Sequence, residues 1–266
     1  MLSRRSILLT GAAATGSLLI RPYAAMAESH AAKTMAGEMS GDVYKSRSGE
    51  VVIHPVAHAS FVMETPAGTF YVDPVGGADA YDGMPMPDFI LITHHHGDHY
   101  DPDTLSGLWH DNLAMITNPE VFEKLPEEMK AKTRSLSNGD QGEARGLPIQ
   151  AIPAYNTTQD RLNYHPQGRD NGYVLSVDGL RIYIAGDTED IPEMRALTDI
   201  DIAFVPFNLP YTMTEDQAAS AVAEFGPKVV YPYHYRDSDP ELFAKLLAEA
   251  NDTPQVVMGP WYGSTT

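Results

Sequence analysis

The chain has 266 residues, 43% of them hydrophobic and 20% charged, with 36 acidic against 18 basic side chains and a formal charge of −18. That is enough apolar material for one large domain or two small ones, and the acidity argues against binding to nucleic acid or to an anionic membrane surface. There is no cysteine, which excludes disulfides, thiolate zinc sites, iron–sulfur clusters and cysteine nucleophiles and leaves histidine as the leading metal ligand.

The first segment reads as a targeting signal. Arg4-Arg5 precede an apolar stretch over 7–20, broken by Gly11 and Gly16, and Ala25-Met26-Ala27 supplies a small-x-small cleavage pattern. Residues 1–27 resemble a twin-arginine export signal. The apolar run falls short of the ~20 residues needed to cross a bilayer, so no stable membrane insertion is expected after cleavage, and the mature protein is expected in the periplasm or secreted. Residues 28–49 are small and polar, without apolar periodicity, and are read as a flexible lead into a single domain over 50–266.

From residue 50 onward short strands and helices alternate. Strands are predicted at 50–55, 60–65 and 69–72, the last ending at Asp73-Pro74. The Gly-, Asp-, Pro- and Met-rich stretch 75–87 is a solvated loop, in which Met84 and Met86 could serve as a lid. Residues 89–93, Phe-Ile-Leu-Ile-Thr, form an unbroken apolar run suited to a strand buried on both faces, and the run leads directly into a histidine cluster. Asp101 caps a helix with Pro102 at its first position. A strand at 114–117, a helical stretch over 119–132 interrupted at Pro126, and a strand at 149–153 follow. Asp178-Gly179 joins strands 173–177 and 181–185 as a two-residue hairpin, and the second strand runs into Gly186-Asp187-Thr188. After a strand at 201–206, the capping box Thr214-Glu215-Asp216-Gln217 opens a helix that Gly226 and Pro227 stop. A strand at 229–233 ends at His234, and Asp239 caps a helix over 240–250. The pattern divides into two β-rich halves, 50–165 and 171–262, with no clear sequence repeat. Acidic and histidine residues recur at strand ends, which predicts an α/β protein with its site along one edge of its sheets.

The chemistry centres on His94-His95-His96-Gly97-Asp98-His99, which contains the pattern HxHxDH. At a strand end the alternate residues His94 and His96 point the same way, and the turn at Gly97 brings Asp98 and His99 round beside them. Two pairs of nitrogen and oxygen donors so placed suit one or two divalent cations. His95 lies between the ligands and is read as supporting. Neither a GxSxG elbow nor a GxxxxGK[ST] phosphate loop occurs.

With Asp73-Pro74 before this motif, Gly186-Asp187-Thr188 after it and His234 near the end, residues 50–262 resemble the metallo-β-lactamase-fold hydrolases. His58-Ala59-Ser60-Phe61 and Ala185-Gly186-Asp187-Thr188 resemble the GHASF and AGDT segments of the ascorbate-6-phosphate-lactonase-like branch. The resemblance implies an αββα four-layer sandwich with metals at one edge between the sheets. It implies that His94 and His96 serve one metal and Asp98, His99 and His234 the second, with Asp187 bridging and Asp73 orienting a ligand histidine. Asp98 and His58 are the implied catalytic candidates. Zinc is the leading metal, with manganese or iron as alternatives.

One departure stands out. The family's further histidine, the third ligand of the first metal, is replaced in Ile152-Pro153-Ala154-Tyr155-Asn156 by asparagine. Three readings stay open: His165 reaches in from the next loop; Asn156 ligates or holds a water, favouring a harder ion such as Mn²⁺; or a single metal suffices. The expected activity is hydrolysis of an ester, lactone or phosphodiester bond in a small molecule, with Asp98 positioning the attacking water or taking its proton. A non-catalytic metal-binding exported protein of the same fold is the alternative, kept open by Asn156, while a pure solute-binding protein would hold no metal. Tyr155, Tyr164, Tyr211 and Tyr235 flank the motif segments as cleft candidates, and His54 and His110 are read as structural. The oligomeric state is not legible.

Overall fold

The computed structural model describes residues 41–250 and 254–262. The targeting segment 1–27 and residues 28–40 of the lead lie outside them. The first sheet takes its strands in chain order: β1 (Asp42–Lys45), β2 (Glu50–Ala57), β3 (Ser60–Thr65), β4 (Gly68–Val72), β5 (Phe89–Leu91), β6 (Ala114–Thr117) and β7 (Thr133–Ser135). The second does the same with β8 (Gln141–Ala144), β9 (Leu147–Ala154), β10 (Asp170–Val177), β11 (Leu180–Ile184), β12 (Ile202–Pro206), β13 (Val229–Tyr233) and β14 (Gln255–Val256). In each sheet the first four strands are antiparallel neighbours and the remainder pair in parallel. The two halves therefore repeat one topology that no sequence repeat announces.

Parallel neighbours need crossovers. Helices α1 (Pro102–Leu108), α2 (Pro119–Lys124) and α3 (Glu127–Lys130) supply them on the first sheet, and α4 (Pro192–Arg195), α5 (Glu215–Phe225) and α6 (Pro240–Glu249) on the second. Their starts are set by local chemistry: Asp101 accepts from the Asp103 amide, Thr214 and Gln217 close a reciprocal capping box, and Asp239 accepts from the amides of Glu241 and Leu242.

The two-residue period of a strand sorts its side chains between layers. On β5, Phe89 and Leu91 enter the core between the sheets, while Ile90 and the following Ile92 pack under Leu105, Leu108 and Val121 of the helices. On β12, Ile202 and Phe204 face the inter-sheet core, and Ala203 and Val205 pack against Ala218, Val222 and Phe243 of α5 and α6. Three apolar layers separated by two sheets make the αββα sandwich. Among the described residues, no helix is long and apolar enough to cross a membrane.

The structure corrects two readings and adds three short strands. The halves divide at 136–140, not at 165–171, because β8 and β9 pair with β10 and belong to the second sheet. The lead is not flexible throughout: Asp42–Lys45 adds an edge strand to β2, and Tyr231 donates to the Asp42 carboxylate at 2.8 Å. The short edge strands β7, β8 and β14 carry too little alternation to be recognised from their own residues.

Gly172 and Gly186 sit where β10 and β11 close up beside the site. A Cβ on Gly172 would lie 2.5 Å from the Ala185 carbonyl oxygen and 2.7 Å from that of Ile184. Neither backbone atom can yield without breaking the ladder. Gly172→Ala is expected to destabilise the fold by about 3 kcal/mol or more, read as a fall in the urea midpoint with an unchanged slope. An unchanged midpoint would contradict this packing.

Candidate metal centre

The site lies where strands from both sheets end, at the carboxyl ends of the parallel strands, where open α/β sheets place their ligands. Asp73 follows β4, the His94–His99 run follows β5, Asp187 follows β11, Asn208 follows β12 and His234 follows β13. The turn between β2 and β3 adds His58, and the β9–β10 connection adds His165. Three of these backbones, His58, Asp73 and His234, and that of nearby Arg236 are held at positive φ without being glycine. Such strain concentrates where surrounding structure enforces it for function.

Two clusters form. One donor atom each from His94, His96, His165 and Asp187 lies within 4.8 Å of all the others, and the same holds for His58, Asp98, His99 and His234. Asp187 joins them: its Oδ2 is 3.3 Å from His165 Nε2 and 3.2 Å from His234 Nε2, and its Oδ1 is 3.2 Å from His99 Nε2. Behind these nitrogens stand acceptors that fix the rings. Asp73 Oδ2 accepts from His99 Nδ1 at 2.8 Å, and Asp73 also takes the Thr93 amide and hydroxyl. With its own proton on Asp73, the Thr93 oxygen accepts from His94 Nδ1 at 3.0 Å. Asp170 Oδ2 accepts from His165 Nδ1 at 3.0 Å and is itself held by Arg169. With Nδ1 held by an acceptor in each ring, His94, His99 and His165 turn Nε2 inward, where a neutral ring offers its lone pair to a cation.

The electrostatics follow from burial and these partners. Burial pushes His94 far below the usual histidine range and brings His58 and His96 to about 4. Burial acts the same way on His99, His165 and His234, but the carboxylates facing them, Asp187 above all, outweigh it and hold these rings up. Burial would raise Asp187, yet His234 and His99 keep it well below the carboxylate range. Burial would raise Asp98 too, but the facing His234 ring and the hydrogen bond from His58 hold it low.

His94 Nε2, His99 Nε2, His234 Nε2 and Asp187 Oδ1 are buried with no hydrogen-bond partner. Buried polar atoms are normally paired, and imidazole and carboxylate are ligands of divalent cations. The donor set fits a metal.

The other expected residues fall as follows. His165 lines the cavity over the clusters, whereas Asn156 does not. The Asn156 amide instead donates to the Arg161 and Tyr211 carbonyls and so ties together two loops around the cavity. His58 is not on the cavity wall and meets the site through Asp98, whose Oδ2 lies 3.0 Å from its Nε2. His95 lies beside Glu120, His54 pairs with Glu64, and His110 donates to the Pro87 carbonyl. Tyr164 and Tyr211 line the cavity edge to face, while Tyr155 binds Glu193 and Tyr235 packs on Phe207. Met86 is exposed and Met84 packs at the outer core, and neither lines the cavity.

Sequence reasoning passed over Asp170, Asn208 and Tyr262. The signal for the first two was their place at strand ends, the same signal that marked Asp187 and His234. Asp170→Asn is expected to weaken metal binding at His165 about 10–100-fold, measured by competition with a chromogenic chelator. Unchanged affinity would show that His165 needs no carboxylate behind it.

The comparisons agree with this geometry. Residues 53–234 match the family model for the beta-lactamase superfamily domain. The chain is 31% identical over 207 residues to a UPF0173 metal-dependent hydrolase of Lysinibacillus sphaericus, covering 71% of this chain and 89% of that one. It is 43% identical to a solved structure from Parabacteroides distasonis assigned, without a named substrate, as a metal-dependent hydrolase, with TM-score 0.74 over 84% of this chain and 99% of that one. The metallo hydrolase Igni18 of Ignicoccus hospitalis is 25% identical with TM-score 0.66, covering 79% and 96%. The fold, the paired ligand clusters and these matches together place the chain in the β-lactamase superfamily, among its metal-dependent hydrolases.

Proposed function

We propose that this protein hydrolyses an ester, lactone or phosphodiester bond in a small molecule. The observation that carries the reading is the meeting of two ligand clusters on Asp187 beneath a cavity of about 710 Å³. That volume suits a small substrate. His94, His96, His165 and Asp187 would hold one cation, and Asp98, His99 and His234 a second beside Asp187. A divalent cation supplies Lewis acidity, activating water near neutral pH and polarising the substrate oxygen. Zinc is proposed first, since the donors are mostly imidazole.

The chain's own groups do the rest. Asp98 Oδ2 receives His58 Nε2 at 3.0 Å and Arg236 Nη2 at 3.3 Å. This leaves Oδ1 to orient water over the cavity floor. The Asn208 amide nitrogen is buried, has no partner and belongs to a residue lining the cavity, so it is placed to donate to a substrate oxygen. Tyr164, Leu209, Pro210 and Tyr211 give one wall an apolar character. Among the described residues, Arg236 is the one lysine or arginine on the wall, and Asp237 lies beside it. Carbonyl esters and lactones therefore lead over anionic phosphodiesters.

The test is a panel of p-nitrophenyl esters, lactones and bis-p-nitrophenyl phosphate with Zn²⁺-, Mn²⁺- or Fe²⁺-loaded mature protein. Turnover of one bond class, lost on chelation, is expected. No turnover with any metal would overturn the reading in favour of a non-catalytic metal-binding protein.

We also infer export through a twin-arginine signal, with cleavage after Ala27 and a periplasmic or secreted mature protein. Arg4-Arg5, the short apolar run and Ala25-Met26-Ala27 support this. Replacing Arg4 and Arg5 by lysine is expected to retain precursor in the cytoplasmic fraction.

A further inference from the structure

His58 stands apart from the motif histidines in sequence and in chemistry. It occupies the β2–β3 turn at φ +53°, and its backbone is built into the site: its amide donates to the Trp261 carbonyl at 2.9 Å, and its carbonyl accepts from the His234 amide at 3.0 Å. Its ring lies against that of His234, with centroids 3.8 Å apart. Both ring nitrogens have partners. Nδ1 is 2.8 Å from the Tyr262 hydroxyl, and Nε2 is 3.0 Å from Asp98 Oδ2. The Tyr262 oxygen also receives the Arg236 amide at 2.9 Å.

Donor counting gives this chain one direction. The Arg236 amide can only donate, so the Tyr262 oxygen accepts there, and its hydroxyl proton is free to go to His58 Nδ1, which is bare in a neutral ring whose proton sits on Nε2. An ionised Asp98 can only accept, so His58 Nε2 carries its own proton. The sequence runs Arg236 N–H to Tyr262, Tyr262 O–H to His58 Nδ1, and His58 Nε2–H to Asp98. This is the reverse of His94, His99 and His165, whose Nδ1 atoms donate to Thr93, Asp73 and Asp170 and whose Nε2 atoms are left bare. A nitrogen that presents a proton to a carboxylate is not offering a lone pair to a cation.

We propose that His58 is not a metal ligand, although it lies within the Asp98, His99 and His234 cluster, but a positioning residue that fixes the Asp98 carboxylate, and that Tyr262 sets its orientation. Tyr262 lies beyond residues 53–234 matched by the family. Its segment is anchored by Trp261, which is 1% exposed and packs edge-on against Phe61 and Phe204 in the inter-sheet core. The tail thus couples the core to the carboxylate that orients water.

The role of Asp98 rests on the hydrolytic reading, whereas the proton arrangement does not. The first experiment is therefore ¹⁵N NMR of the histidines in zinc-loaded mature protein, which needs no substrate. A protonated Nε2 and a bare, hydrogen-bonded Nδ1 at His58 are expected. A protonated Nδ1 with a metal-shifted Nε2 would make His58 a ligand and overturn the proposal. Second, His58→Ala is expected to keep the wild-type zinc content while kcat falls about 10–100-fold at an unchanged KM. Loss of zinc would likewise overturn it. Third, Tyr262→Phe, which keeps the ring and leaves Trp261 in place, is expected to shift the His58 Nδ1 resonance to its unbonded position and lower kcat about tenfold. An unmoved resonance would remove Tyr262 from the chain. If no substrate is turned over by wild type, the NMR and zinc measurements still decide the point.

Discussion

Asp187→Ala is expected to lower kcat/KM by about a thousandfold or more and to strip the protein of most of its metal. A thousandfold loss corresponds to about 4 kcal/mol of transition-state stabilisation. The size follows from position. The carboxylate is 2% exposed and, among the described residues, is the one acidic group facing His165, His234 and His99 at once, at 3.2–3.3 Å. Removing it takes the one carboxylate from the first cluster and leaves the second without the neighbouring anion that faces His99 and His234. Elemental analysis after purification without chelators reads the metal directly, and melting reads it a second way. A ligand at a hundredfold excess over its dissociation constant stabilises a protein by about 2.7 kcal/mol. In a chain of this size, that amounts to about 5–10 °C of melting temperature. Adding chelator should cost the wild type that margin and leave Asp187→Ala unmoved. A variant that still carries full metal and activity would show that the clusters work independently and that Asp187 merely fills space between them.

His165→Ala and Asn156→Ala should separate completely. His165 is 1% exposed, points Nε2 at Asp187 and has a carboxylate behind Nδ1, which is the arrangement of a ligand. Its loss is expected to remove about one equivalent of metal and to lower activity about a hundredfold or more, beyond the 10–100-fold typical of the groups behind a ligand. Asn156 spends its amide on the carbonyls of Arg161 and Tyr211. Alanine there removes the donor from two part-buried carbonyls, at about 1 kcal/mol of stability. Metal content should stay at the wild-type level, while KM rises because the loop carrying Tyr211 is no longer tied. The opposite pattern would make Asn156 the ligand. One metal per chain, unmoved by either substitution, would leave the Asp98, His99 and His234 side as the whole centre.

Asn156 also shows why a missing motif residue misleads. The neighbouring loop returns to the same place: the Asn156 backbone N–H donates to the His165 carbonyl at 2.8 Å. The two residues are therefore neighbours across a loop, and the imidazole arrives from the second while the first becomes a clamp. Nearby, Glu189 performs a related task, its buried carboxylate accepting the amides of Thr157 and Thr158 and the Arg161 guanidinium. A departure from the family pattern is thus a redistribution of roles around one loop.

By itself the sequence determined whatever rests on neighbours along the chain. An unbroken apolar run between turn signals marked the central strand 89–93, caps at Asp101, Thr214 and Asp239 marked helix starts, and Asp178-Gly179 marked a hairpin, because apolar runs, capping side chains and turn residues act within a few residues. The HxHxDH spacing determined that His94, His96, Asp98 and His99 gather at a strand end. The tertiary structure alone decided which strands share a sheet, since edge strands such as Asp42–Lys45 are ordered by pairing across the sheet rather than by their own pattern. It alone brought His165, Asp187 and His234 against the motif, set Asp170 behind His165, and carried Tyr262 back to His58 across 204 positions. Residues so far apart meet only when the cost of closing the loops between them is met by burial of the apolar layers around the two sheets.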